Sequence, residues 1–534
     1  MSSTSLAAPR LWAIENPRAL VWWTIGIGTA IRLFLAIVVG YGYGEGYYLA
    51  TARHFALSYF DQPPLSLWIA WASIKLFGVA STGLIRAPFL LMFAGTTWAM
   101  YRLGARLFGE RAGACAALLL NLSPVFTLAV ASWIQPDGPL MLLLLLAALP
   151  IVDLRFGTAK RPMLSWAAAG AAFGLALLAK YHAALILIGL AIFVVTTWDR
   201  RKWLSARGLL LAAVISAVII SPVVIWNVQN HWVSFQFQGD RILDFAGLRF
   251  DWLVRGILGQ AVLIGPVVWP PLVYVFGKAL AAGRRDEKGW FLCCLAIMPI
   301  IVFTAASLWA PVGYHFHWQS PGYLFLFPLL GKFTADGLEA GVIATRRGLL
   351  GAAFCMVVVV VFLSSQAMTG WVRLVMPAAI VATAEKAANP LRELLSWTEL
   401  REDLAAKGYL DQPRLFAVAP QWHQAGKVDV QIGDKLPVVC LCGDPRNIAF
   451  GWDPKAFADW DALIIGTDAY IPDVQSAYGP FFRSIALVDT VVINLGGRPD
   501  LTVRVYYAKD YYRPYPVPIG PGGVQVPAAS WAAN

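Results

Sequence analysis

The sequence predicts an α-helical multi-span membrane protein, with about eleven transmembrane helices, a large first outer loop and a C-terminal α/β domain outside the membrane. Three features predict it. The 534 residues are 58% hydrophobic and only 14% charged, with a mean hydropathy of +0.62, against roughly 25% charged residues in soluble domains. Apolar runs of membrane-crossing length recur along the first 383 residues and then stop. Between these runs, loops rich in Arg and Lys alternate with loops nearly devoid of both, a pattern that records orientation across a bilayer.

Taken in order, the apolar stretches begin near Ala19, Leu84, Ala112, Leu140, Leu164, Ala183, Gly208, Trp252, Trp290, Gly322 and Leu349, each judged against the ~20 residues a helix needs to cross. The basic clusters are Arg102, Arg106 and Arg111; Arg155, Lys160 and Arg161; Arg200, Arg201, Lys202 and Arg207; Lys278, Arg284, Arg285 and Lys288; and Lys332, Arg346 and Arg347. The positive-inside rule makes these loops cytoplasmic, together with the N-terminal tail that carries Arg10 and Arg18. The loops around Asp137, Lys180 and His315 then face outward, and an odd number of spans leaves the C-terminal domain outside. The first apolar run is too long for a signal-peptide core and lacks a small-residue cleavage site, so it reads as an anchor.

The net charge of +11 is dispersed in these short topological clusters instead of lining one face, which argues against nucleic acid as a partner. Cys440 and Cys442 are too close in sequence to favour a mutual disulfide, and no disulfide framework is inferred. Near Ala384 the composition shifts to more charge and frequent turn residues, dividing the chain into a transmembrane domain, 1–383, and an extracytoplasmic α/β domain, 384–534. In the second, Leu391–Lys407 and Gln421–Ile432 read as helices. Leu415–Ala419, Val438–Leu441, Ala462–Ile465, Ile485–Leu495 and Val503–Ala508 read as strands.

The chemistry concentrates in the first outer loop, residues 41 to 83. It opens with Tyr41-Gly-Tyr-Gly-Glu-Gly-Tyr-Tyr48 and continues with Tyr59-Phe-Asp-Gln-Pro-Pro-Leu65. Residues 47–58 and 65–77 read as helices lying at the interface. A carboxylate beside a bilayer is costly to keep ionised unless it is paired or used, so Glu45 and Asp61 are candidate sites.

These segments, with Leu84-Ile-Arg-Ala-Pro88, Tyr101-Arg-Leu-Gly-Ala-Arg-Leu-Phe-Gly109, Asn121-Leu-Ser-Pro124, Gln135-Pro-Asp137, Leu178-Ala-Lys-Tyr181, His317-Trp-Gln-Ser-Pro-Gly-Tyr323 and Gln421-Trp-His-Gln-Ala-Gly-Lys427, form an ordered set. It resembles the polyprenyl-phosphate-dependent membrane glycosyltransferases, the superfamily of protein O-mannosyltransferases and of lipid A aminoarabinose and galacturonic acid transferases. The resemblance implies a bacterial inner-membrane enzyme that takes a sugar from a polyprenyl-phosphate donor and gives it to a lipid, glycan or protein acceptor. It also implies that an acid of the first outer loop acts as general base on the acceptor hydroxyl, with inversion at the anomeric carbon.

The chain departs from that pattern at one position. The family opens this loop with Asp-Glu, and here the usual Asp position is Gly44. Glu45, Asp61 or Asp137 is then the candidate catalytic base. The alternative is a non-catalytic relative acting as a membrane binding or assembly factor. A transporter is a third reading, disfavoured because the acids cluster in an outer loop.

Each residue also has a plainer reading. Asp61 before Pro-Pro can organise a turn, and Asp137 can complement a helix dipole, or else orient the base or hold a divalent metal. Lys180 snorkels to the interface or neutralises the leaving phosphate, and Arg53 binds the donor phosphate or lipid headgroups. Tyr47, Tyr48, Tyr181, His182 and His317 line the substrate cavity. His315 and His317 are a candidate metal pair, in a stretch whose Trp309, Tyr314, Trp318 and Tyr323 read as an aromatic belt at the interface. Trp422, His423 and Lys427 open a helix that binds an anion or is merely capped.

Overall fold

The computed structural model describes residues 15–157, 159–197, 204–243, 245, 247–309, 317–375, 394–516 and 519. Helices α1 (Pro17–Val38), α2 (Tyr43–Ala52), α3 (Leu65–Phe77), α4 (Thr82–Phe108) and α5 (Glu110–Asn121) are followed by α6 (Asp137–Arg155), α7 (Pro162–Ala179), α8 (Ala183–Thr196) and α9 (Ala206–Gln229). Then come α10 (Val233–Leu243), α11 (Phe250–Ile264), α12 (Trp269–Ala282), α13 (Glu287–Ala306), α14 (Phe327–Glu339) and α15 (Ile343–Thr369). The C-terminal part holds α16 (Thr398–Ala406), α17 (Trp422–Ile432) and strands β1 (Leu415–Ala419), β2 (Val438–Cys440), β3 (Asp461–Thr467), β4 (Phe482–Leu495) and β5 (Arg498–Tyr511).

Among the described residues, six helices are long and apolar enough to cross a membrane: α1, α6, α7, α9, α13 and α15. Counting the bent pair α11 and α12, which meet at 108°, as one broken span gives seven, against the eleven the apolar runs predict. The difference has local causes. The run at Ala183 gives a helix of only 14 residues, that at Leu84 carries Arg86, Arg102 and Arg106, and that at Ala112 stops at Asn121, where a π-helical turn (Val125–Val130) begins after Pro124.

The chain divides into two compact units: 1–33, 87–223 and 241–359 form the first, and 34–86, 224–240 and 360–534 the second. The predicted boundary between residues 383 and 384 lies outside the described residues. The first unit packs through small residues. A Cβ added at Gly331 of α14 would collide with Ala112 and Ala116 of α5, one at Gly170 of α7 with Ala212 of α9, and one at Gly189 of α8 with Cys294 of α13, so these backbones approach as closely as glycine allows. Buried Arg32 donates to Asn121 Oδ1 at 2.5 Å and Thr127 Oγ1 at 3.1 Å and lies over the Phe93 ring. It thereby fixes the irregular segment that leads to α6.

The second unit is built on a five-stranded sheet of order β2-β1-β3-β5-β4, in which β1 runs parallel to β2 and β3, while β5 is antiparallel to β3 and β4. Strand β1 is an unbroken apolar run, and every one of its residues is buried, as expected of a central strand covered on both faces. Helix α17 packs against α2 at Gly46 and Gly426, where either Cβ would strike the opposing backbone. Lys427, 3% exposed, donates to the carbonyls of Tyr41 and Leu395, so in this structure its ammonium holds the first loop. The predicted helix over 47–58 forms earlier, at 43–52, while that over 65–77 keeps its predicted bounds. Cys440 and Cys442, expected to stay apart, form a disulfide. The chain leaves β2 at Cys440, which puts the two Cα atoms 5.6 Å apart, within the ordinary disulfide range.

Candidate active site

In the second unit the first loop is held by one arginine. Gly42 caps α2, and Glu45 in the first turn accepts the Gly42 N–H at 3.2 Å. Arg86 donates Nε to Glu45 Oε1 at 2.8 Å and Nη2 to Oε2 at 2.6 Å, and its remaining N–H groups go to the carbonyls of Ala36, Val39 and Gly40 at the end of α1. Both side chains are buried. The bidentate guanidinium engages both Glu45 oxygens, so in this structure the carboxylate organises the loop. The partner was missed from the sequence, where its trace is the Leu84-Ile-Arg-Ala-Pro88 segment.

Asp61 lies in a different setting within the same unit. Its Oδ1 accepts the Tyr47 phenol at 2.8 Å, Arg446 Nη1 stands 4.0 Å from Oδ2, and the Asp61 carbonyl accepts Gln238 Nε2 at 2.6 Å. Burial, then the negative charge of Asp61, raise the Tyr47 phenol well above its ordinary range, which keeps it a donor. The loop 442–447 completes the cluster. Asn447 N–H donates to the Tyr47 oxygen at 3.1 Å, and Asn447 Oδ1 accepts Phe60 N–H at 2.8 Å. Arg446 lies 3.8 Å above the Trp422 ring with φ +46°. A non-glycine residue in that region costs of order 1 kcal/mol or more and persists where its surroundings demand it.

Tyr47 meets Trp422 edge-on at 5.0 Å, Tyr48 lies beside Tyr47, and His423 packs against Tyr43 and Tyr470. The result is a buried carboxylate under an aromatic wall and a half-buried guanidinium. A Cβ built on Gly44 meets nothing within 4 Å, so the space beside the missing Asp is open. Arg53, expected from sequence at the donor phosphate, donates Nε to Asp429 Oδ1 at 2.6 Å.

The first unit carries its own polar centre. Asp137 opens α6, and both its oxygens accept Lys180 Nζ, at 2.9 and 2.8 Å, while His317 Nε2 lies 4.0 Å from Oδ2. Lys180 ends α7 in extended conformation. Burial, opposed by Asp137, lowers the His317 imidazole to about 4, so it is neutral at physiological pH. His182 packs against Phe303 and Trp318, and Tyr181 is next to it in the turn before α8. Among the described residues no three His, Cys, Asp or Glu side chains converge as metal ligands. His315, half of the candidate metal pair, lies outside the described residues.

The chain has a run of apolar helices and a sheet domain with an acid-bearing loop folded against it, and in sequence and fold it is similar to several glycosyltransferases. Residues 61–226 match the family described as dolichyl-phosphate-mannose-protein mannosyltransferase. The lipid A galacturonosyltransferase RgtD of Rhizobium johnstonii is 23% identical over 51% of this chain and 57% of its own length. The lipopolysaccharide core galacturonosyltransferase RgtA of the same organism is 27% identical over 54% and 59%. An undecaprenyl phosphate-α-4-amino-4-deoxy-L-arabinose arabinosyl transferase of Pseudomonas fluorescens is 26% identical over 48% and 46%. The matches thus span about half the length of these curated relatives. In fold, the chain is similar to ArnT from Cupriavidus metallidurans bound to undecaprenyl phosphate, with a TM-score of 0.60 over 91% of this chain and 98% of that one at 16% identity.

Proposed function

We propose that the protein is an integral membrane glycosyltransferase that moves a sugar from a polyprenyl-phosphate carrier to a lipid, glycan or protein acceptor, with the α/β domain outside a bacterial inner membrane. One observation carries the reading. In the segment that matches the family, a buried carboxylate, Asp61, is held by a phenol and faced by a guanidinium beneath an aromatic wall. Asp61 takes the proton of the acceptor hydroxyl as that oxygen attacks the anomeric carbon. The carbon–phosphate oxygen bond breaks with inversion, and the polyprenyl phosphate leaves with its electron pair. Tyr47 fixes one carboxylate oxygen, and Arg446 faces the other at 4.0 Å. In the first unit, Asp137 holds the Lys180 ammonium in place through both carboxylate oxygens, a pair whose cation suits a phosphate.

A second reading, a binding or assembly factor without transfer activity, is favoured by the vacant position at Gly44 and by the capture of Glu45 by Arg86. Sugar transfer from polyprenyl-phosphate donors, assayed with purified protein in lipid, tests the choice. Transfer that disappears in Asp61→Asn while donor binding and folding persist supports the enzyme. No transfer from a panel of donors, with donor binding intact in the native chain, supports the binding protein.

A further inference from the structure

Away from the Asp61 cluster, the second unit contains a cleft of about 200 Å³ lined by Arg53, His54, Trp71, Lys75, Asp429 and Trp452, among others. It brings two permanent cations and an imidazole to one place, with a single carboxylate among them. Asp429 is satisfied by Arg53, through Nε at 2.6 Å, whereas Lys75 has no hydrogen bond or ion pair with any described residue. Two of the lining residues are tryptophans, and the His54 ring meets Trp452 edge-on at 4.9 Å. Cations beside aromatic walls suit a phosphate ester whose organic part lies against the rings.

The rim identifies the source of that phosphate. Phe55 follows His54 and is 56% exposed; Leu76 follows Lys75 and is 74% exposed; Leu57 and Phe77 are also exposed. Phe55 stacks on Trp68 and touches Trp71, which itself lines the cleft. Large apolar side chains standing out on α3 and on the segment that follows α2, both flanking a cationic cleft, with tryptophans between, are the pattern of an interfacial surface: the apolar groups enter acyl chains and the cations meet headgroups. We infer that this cleft binds the phosphate headgroup of an anionic membrane lipid, with Lys75 as the cation that contacts it and Trp71 and Trp452 as its walls. The site is separate from the Asp61 cluster, and its occupation needs no sugar transfer.

The test is lipid retention by the full-length protein. Protein reconstituted in vesicles of phosphatidylglycerol and phosphatidylcholine is extracted, and co-purifying lipid is counted by native mass spectrometry. The native chain is expected to retain phosphatidylglycerol in preference to phosphatidylcholine. Lys75→Glu should weaken that retention roughly tenfold or more, because each unit of charge near an anionic surface contributes about a fivefold affinity change and the substitution reverses the charge. Lys435→Glu, an exposed lysine outside the cleft paired with Asp411, should leave it unchanged. Equal retention by Lys75→Glu and the native chain overturns the inference, as does equal loss in Lys435→Glu. Displacement of the bound lipid by millimolar inorganic phosphate overturns the lipid assignment in favour of a soluble phosphate.

Discussion

Arg86 grips both carboxylate oxygens of Glu45, at 2.8 and 2.6 Å, where neither side chain has more than 2% of its surface exposed. The same guanidinium closes the end of α1 through three carbonyls. Removing one partner of a buried pair leaves an uncompensated charge and costs about 3–5 kcal/mol. Glu45→Gln and Arg86→Gln should therefore each lower the unfolding temperature in detergent markedly, and Glu45→Gln combined with Arg86→Met should recover part of the loss. A Glu45→Gln protein that is fully stable yet devoid of transfer activity would return Glu45 to the role of base.

Asp61→Asn is expected to behave in the opposite way. The amide keeps the shape of the carboxylate and its Oδ1 still accepts from Tyr47, so stability should change little. The lost proton acceptor should reduce transfer by ~10²- to 10⁴-fold, the usual range for a positioned base. Tyr47→Phe removes a buried hydrogen bond worth about 1 kcal/mol and should give a smaller fall in kcat. The check is to measure kcat and unfolding on the same preparations, since a parallel loss of both in Asp61→Asn would make the residue structural.

What the sequence discloses and withholds follows from the range of the interactions. Strands β1, β2 and β3 were readable within about three residues because short apolar runs between turn residues encode them locally. The bend between α11 and α12 and the π-helical turn after Asn121 are departures inside apolar stretches, where composition looks the same whether the helix continues or breaks. Glu45 and Asp61 were legible as costly charges, but their partners were not. Arg86 is 41 residues from Glu45, and Arg446 comes to Asp61 from the far end of the chain.

His423 supplies a pH signature for the sheet domain. Its Nε2 is buried with no hydrogen-bond partner among the described residues, and burial, aided by Arg446, lowers the imidazole from 6.5 to about 4. Above pH 6.5 neither the folded nor the unfolded chain takes the proton. As pH falls from 6.5 toward 4 the unfolded chain gains it while the folded domain does not, so this contribution to stability is full above the window and lost through it. The loss is on the order of 2–3 kcal/mol. Unfolding temperatures measured between pH 7 and pH 4.5 should fall less steeply for His423→Phe than for the native chain. Identical slopes would show that His423 is not the titrating group.

Gly44→Asp is the most discriminating substitution. A Cβ at this position meets no atom within 4 Å, and the residue lies in the first turn of α2. An acid there complements the helix dipole by about 0.3–1 kcal/mol, and replacing a helical glycine removes a further penalty of roughly 0.5–1 kcal/mol. The variant should fold at least as well as the native chain by thermal unfolding. Its transfer activity then separates the two functional readings. If Asp61 is the working base, a second carboxylate nearby adds nothing, and kcat should stay within about threefold of native, a spread below the tenfold set by ~1.4 kcal/mol. If the chain is a relative that lost its base at this position, Gly44→Asp should raise transfer from an undetectable level, and Asp61→Asn in the native background should alter nothing that can be measured.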